Sequence, residues 1–125
     1  MSGTSPGMRI LVVDDDHEVA DILREVLEEE GHTVAVAYDG ASAVELAVTS
    51  KPAVAFLDFG LPDMDGVALA GRLRANPATA GIRLIALTGS EESARAAAAG
   101  FERFLLKPVS LDALLSALVP QPARR

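Results

Sequence analysis

The chain has 125 residues, half of them apolar, which fits one domain with a substantial core rather than two. Eleven Lys and Arg against eighteen Asp and Glu leave a net charge of −7, an adverse balance for gripping a phosphate backbone. Cysteine is absent, which excludes disulfide scaffolds, thiolate zinc sites and thiol nucleophiles, and no run approaches the roughly 18 apolar residues of a membrane span.

Residues 1–8, MSGTSPGM, have neither the basic nor the apolar region of a secretory signal and read as a flexible leader. Ile10–Val13 predicts the first strand. Val19, Ile22, Leu23, Val26 and Leu27 then recur with helical period, Asp16 stands at the N-cap position, and Gly31 closes the helix. Val34–Ala37 is a weaker strand, after which Asp39-Gly40 opens a second helix through Val44, Ala47 and Val48 that stops at Lys51-Pro52. Val54–Leu57 predicts the third strand. Val67, Ala70 and Leu73 mark a third helix, which contains Gly71 and ends at Asn76-Pro77. Leu84–Leu87 follows, then the alanine-rich Glu91–Ala99, a helix former with little to bury and therefore the expected most mobile helix. Gly100 ends it. Phe104–Leu106 is the fifth strand, and Leu111, Leu114, Leu115 and Leu118 stripe a final helix before a frayed tail, residues 120–125. The expected domain spans residues 9–119. Continuous apolar strands alternating with helices mean an α/β doubly wound parallel sheet with helices on both faces.

In such a sheet, ligands bind outside the carboxyl ends of the strands. Asp14, Asp15 and Asp16 follow the first strand, Asp58 the third, Thr88 the fourth, and Lys107-Pro108 the fifth. Carboxylates converging there would repel one another, and a divalent cation removes that penalty. A few carboxylates, one carbonyl and several waters suit Mg²⁺, which dehydrates reluctantly. A carboxylate can also attack phosphorus to form an aspartyl-phosphate, with metal, ammonium and hydroxyl neutralising the phosphoryl oxygens. Lysine occurs twice in the chain, and one of the two falls at a strand end.

The runs Ile10-Leu11-Val12-Val13-Asp14-Asp15-Asp16, Leu57-Asp58-Phe59-Gly60-Leu61-Pro62-Asp63-Met64-Asp65-Gly66, Ala86-Leu87-Thr88-Gly89 and Leu105-Leu106-Lys107-Pro108 together resemble the receiver domain of two-component response regulators. The resemblance implies a flavodoxin-like (βα)5 fold with strand order 2-1-3-4-5. It implies Asp58 as phosphoacceptor, Asp14 and Asp15 as the acidic pair for Mg²⁺, and Gly60 as donor of a backbone carbonyl to the metal. It further implies that Thr88 and Lys107 contact the phosphoryl group, that Thr88 and Phe104 act as switch residues, and that Lys107-Pro108 carries a cis peptide. A histidine kinase or histidine phosphotransfer protein would be the phosphoryl donor, a downstream effector the recipient, and the cytoplasm the setting. The switched surface would comprise the alanine-rich helix, the fifth strand and the final helix. Gly60 and Ser90 would influence the lifetime of the phosphorylated state.

Other readings have less support. Asp58-Phe59-Gly60 spells a kinase metal-binding tripeptide, but no Gly-rich loop or Walker sequence accompanies it. His17 is a lone histidine in a helix's first turn, and His32 a turn residue. Glu28, Glu29 and Glu30 form a solvated acidic helix end. A Mg²⁺-dependent phosphohydrolase with an aspartyl nucleophile is the alternative function; its D-x-D spacing occurs at Asp63-Met64-Asp65 but follows no strand. A phosphorylation-independent scaffold is a third. Residues 110–119 carry no Arg or Lys, which disfavours pairing through the final helix and points to a mainly monomeric domain, one that stands alone or belongs to a hybrid histidine kinase.

Overall fold

The computed structural model describes residues 7–89 and 100–119. Five strands, β1 (Arg9–Val13), β2 (Thr33–Ala37), β3 (Val54–Asp58), β4 (Arg83–Thr88) and β5 (Arg103–Leu106), form one sheet in the order β2-β1-β3-β4-β5, every pair parallel. The described helices are α1 (His17–Glu29), α2 (Gly40–Ser50), α3 (Gly66–Ala75) and α4 (Leu111–Leu118). This is the doubly wound architecture expected from the apolar runs. The alanine-rich helix expected over Glu91–Ala99, Ser90, residues 1–6 of the leader and the tail 120–125 lie outside the described residues.

Successive strand side chains point to opposite faces, and the core divides accordingly. Leu11, Val13, Ala55, Leu57, Leu84 and Ala86 meet Ala43, Ala47, Leu69 and Leu73 of α2 and α3. Ile10, Val12, Val54, Phe56, Ile85 and Leu87 meet Ala20, Leu23, Leu27, Leu114 and Leu118 of α1 and α4. Each fully buried Leu, Ile or Phe in these layers contributes roughly 1.5–3 kcal/mol of transfer free energy.

All four helices start on an oxygen-bearing cap. Asp16 accepts from Glu18 and Val19 N–H, Asp39 from Ser42, Asp65 from Ala68 and Ser110 from Ala113. Each such cap is worth about 1 kcal/mol. Gly31, with φ of 97°, occupies the left-handed turn that ends α1. Three stripe positions depart from the periodic reading: Ile22 is 53%, Leu111 49% and Val48 37% exposed. Ile22 lies beside Lys107, Pro108 and Val109 at the sheet rim rather than over the sheet itself. His32 is more than a turn residue, because its Nδ1 accepts the Met8 N–H at 3.0 Å.

Candidate functional site at the carboxyl rim of the sheet

Parallel pairing brings every strand's carboxyl end to one rim. Val13 pairs with Leu57, Asp58 with Leu87, and Thr88 with Leu106, so the residues after these positions become neighbours despite separations of tens of residues. Asp14, Asp15 and Asp58 each place a carboxylate oxygen within 4.8 Å of the others. Asp14 and Asp58 are buried, whereas Asp15 is exposed. The Lys107 ammonium lies 2.8 Å from Asp14 Oδ2 and 3.3 Å from Asp58 Oδ1. Asp14 Oδ1 accepts the Asp16 N–H, and Asp58 Oδ1 accepts the Gly60 N–H.

Burial pushes the Asp14 carboxyl above its ordinary pKa, and the hydrogen bond from Lys107 only partly offsets this. For Lys107, burial opposes the charge, but the hydrogen bond to Asp14 and the charge of Asp58 outweigh it, so its pKa is raised. Asp14 Oδ2 is buried and, apart from that ion pair, has no hydrogen-bond partner. A buried acid oxygen met by one ammonium alone, beside two further carboxylates, belongs to the kind of oxygen donor set a hard divalent cation takes.

Thr88 ends β4 and is buried, and its carbonyl accepts the Lys107 N–H at 2.8 Å. The Lys107-Pro108 peptide is cis. Phe104 projects outward from β5, 42% exposed. Gly60 sits two residues past Asp58 and pairs with Asp65 across the β3–α3 loop. Asp16 does not join the cluster, because its side chain caps α1.

An apolar groove of about 420 Å³ flanks Lys107, lined by Val19, Ile22, Leu23, Leu87, Pro108 and Val109. His17 stacks on Tyr38 with ring centroids 3.7 Å apart, and Tyr38 donates to Asp21. The stack is not legible in the sequence, because it joins two elements through single side chains, and the groove is hidden because the periodic Val19, Ile22 and Leu23 read as core.

Residues 10–119 match the family described as the response regulator receiver domain. The chain belongs to that family. It is 41% identical over 105 residues to an uncharacterized 14.6 kDa protein in the sodA1 3'region of Leptolyngbya boryana, covering 82% of this chain and 80% of that one. It is 37% identical over 109 residues to the transcriptional regulatory protein KdpE of Mycobacterium tuberculosis, covering 87% of this chain but 48% of KdpE. The chain thus spans about half the length of that regulator. Among solved structures, the chemotaxis response regulator CheY4 of Vibrio cholerae superposes with a TM-score of 0.84 at 25% identity, over 90% of this chain and 96% of that one. The signal receiver domain of a DNA binding response regulator from Colwellia psychrerythraea gives 0.81 at 34%, over 89% and 94%. As a receiver domain, this protein is a module of two-component signalling. Among its described residues, no helix is long and apolar enough to cross a membrane.

Proposed function

We propose that this receiver domain takes a phosphoryl group from the phosphohistidine of a histidine kinase or histidine phosphotransfer protein onto Asp58. One observation carries the reading: a buried aspartate ends the central strand β3, with two further carboxylates and an ammonium gathered on it. An Asp58 carboxylate oxygen attacks phosphorus, the O–P bond forms, and the N–P bond breaks with its electron pair leaving on the imidazole. Lys107 holds positive charge beside the incoming phosphoryl oxygens, and the Thr88 hydroxyl donates to one of them. Asp14, Asp15, Asp58 and the Gly60 carbonyl would hold Mg²⁺, which supplies charge neutralisation at the phosphoryl oxygens when bound. Attack of water on the aspartyl-phosphate reverses the modification, so catalysis is confined to the domain's own phosphorylation and dephosphorylation.

Once Lys107 and Thr88 turn to the phosphoryl group, the β4–β5 rim rearranges, and the exposed Phe104 reports the change to a downstream effector. The setting is cytoplasmic, and the domain, residues 9–119, acts alone or within a hybrid histidine kinase.

A small phosphodonor with Mg²⁺ adds one phosphoryl group to the wild type and none to Asp58→Asn or to chelator-treated protein, read by intact mass. A fully modified Asn variant would overturn the assignment. Thr88→Ala keeps some modification but loses most of the amide shift changes that a beryllofluoride phosphate mimic induces around β4 and β5. Undiminished shifts there would remove Thr88 from the switch.

A further inference from the structure

Asp63 lies in the loop between β3 and α3 and stands apart from the acidic cluster. Its carboxylate reaches back 23 residues to the start of α2, where Oδ1 accepts the Gly40 N–H at 2.8 Å. Oδ2 accepts the Ala41 N–H at 3.0 Å. Asp39 meanwhile takes the Ser42 N–H of the same helix at 2.8 Å. The end of α2 is therefore held by two carboxylates, one local and one delivered by the loop that begins at Asp58.

The second carboxylate joins two segments that each carry part of the site. On one side, the Asp14 N–H donates to Ala37 O at 3.1 Å, tying the acidic turn to the end of β2 and hence to the start of α2. On the other, Gly60 pairs with Asp65, and the Gly66 N–H donates to Phe59 O at 3.3 Å, closing the loop on itself. Met64 lies so close over Gly40 that a Cβ there would come within 2.6–2.8 Å of its side chain. Loop and helix thus meet without slack.

We propose that Asp63 is a positioning residue for the acidic cluster: its carboxylate fixes the loop of Asp58 and Gly60 at a set separation from the turn of Asp14 and Asp15. The proposal rests on the Mg²⁺ reading above and deepens it. Magnesium demands near-ideal octahedral geometry, and groups that orient ligands without touching the metal typically change its affinity 10–100-fold.

The test is a Mg²⁺ titration of amide shifts in the wild type, Asp63→Ala, Asp63→Asn and Asp39→Ala, with urea unfolding of each alongside. Both alanine variants remove one negative charge and one cap from the same helix end, but Asp63→Ala alone cuts the tie to the acceptor loop. Asp63→Ala is expected to weaken Mg²⁺ binding about tenfold. Asp39→Ala binds Mg²⁺ as the wild type does while losing stability. Asp63→Asn, which keeps an acceptor for one of the two N–H groups, falls between and serves if the alanine variant does not fold. Wild-type affinity in Asp63→Ala overturns the proposal, and so do equal losses from Asp63→Ala and Asp39→Ala, which reduce Asp63 to a plain cap. A wild type that shows no Mg²⁺-dependent shifts overturns the metal reading itself, a separate and recognisable failure.

Discussion

Asp14 is fully buried, and burial raises its pKa, so the metal-free domain holds this proton more tightly than the unfolded chain does. Between the unfolded value near 4 and the raised folded value, the native state binds more protons, so stability from this group rises as the pH falls through that interval. Asp14→Asn should therefore stabilise the metal-free protein at pH 7 and flatten that part of the pH profile. Urea midpoints from pH 4 to 7 check both. Asp63 has the opposite sign, because the Gly40 and Ala41 N–H groups hold its carboxyl below the ordinary value. Its contribution is present above the unfolded pKa near 4 and is lost as the pH falls through the lower folded pKa. Asp63→Asn should thus lose stability at neutral pH while unfolding less steeply in acid. Lys107→Ala deprives buried Asp14 of its nearest cation. It should cost roughly 1–3 kcal/mol at pH 7 without metal, and much less in an Asp14→Asn background. Additive losses in that double-mutant cycle would show that the two charges do not act as a pair.

Arg83 links three elements at the opposite rim of the sheet. From β4 it forms a two-pronged ion pair with Glu102, at 2.7 and 2.6 Å, and donates to the carbonyls of Leu118 and Ala117 at 2.8 and 2.9 Å. The guanidinium thus satisfies two carbonyls at the end of α4 that the helix cannot bond itself. Arg83→Lys cannot reproduce this fork and should cost about 2 kcal/mol, above the 0–1 kcal/mol of an exposed pair. A loss under 0.5 kcal/mol in urea unfolding would mean that α4 is held by packing alone. Such links mark the limit of sequence reasoning. Strand positions are legible because Ile10–Val13, Val54–Leu57 and Leu84–Leu87 are continuous apolar runs, and parallel pairing then puts Asp14, Asp58, Thr88 and Lys107 at one rim. The reach of Asp63 to Gly40, of Arg83 to Leu118 and of Tyr38 to Asp21 leaves no periodic trace, since each is one polar side chain crossing between elements. Ile22 shows a subtler failure: its spacing is that of a buried residue, but where a stripe ends depends on the shape of the neighbouring rim.

For the molecule as a whole, a ligand that binds the folded state alone stabilises it by RT ln(1 + [L]/Kd), about 2.7 kcal/mol at a hundred times Kd. Mg²⁺ should accordingly raise the melting temperature of the wild type by several degrees and leave Asp14→Asn nearly unmoved. A net charge of −7, with no basic residue on α4, opposes self-pairing, so light scattering at micromolar concentration should give the monomer mass with or without the phosphate mimic. A clean doubling would show that the exposed Leu111 and Val119 suffice for pairing. The close seating of Met64 on Gly40 has a mechanical consequence. With the acceptor loop bolted to α2, and Phe59 pressed onto Gly66 so that no Cβ would fit there, the α2–α3 side of Asp58 acts as a fixed jaw. The opposite jaw ends in β5, an edge strand of four residues of which Leu105 alone is buried. Among the described residues, a load applied at Asp58 should therefore meet its firmer support on the α2–α3 side.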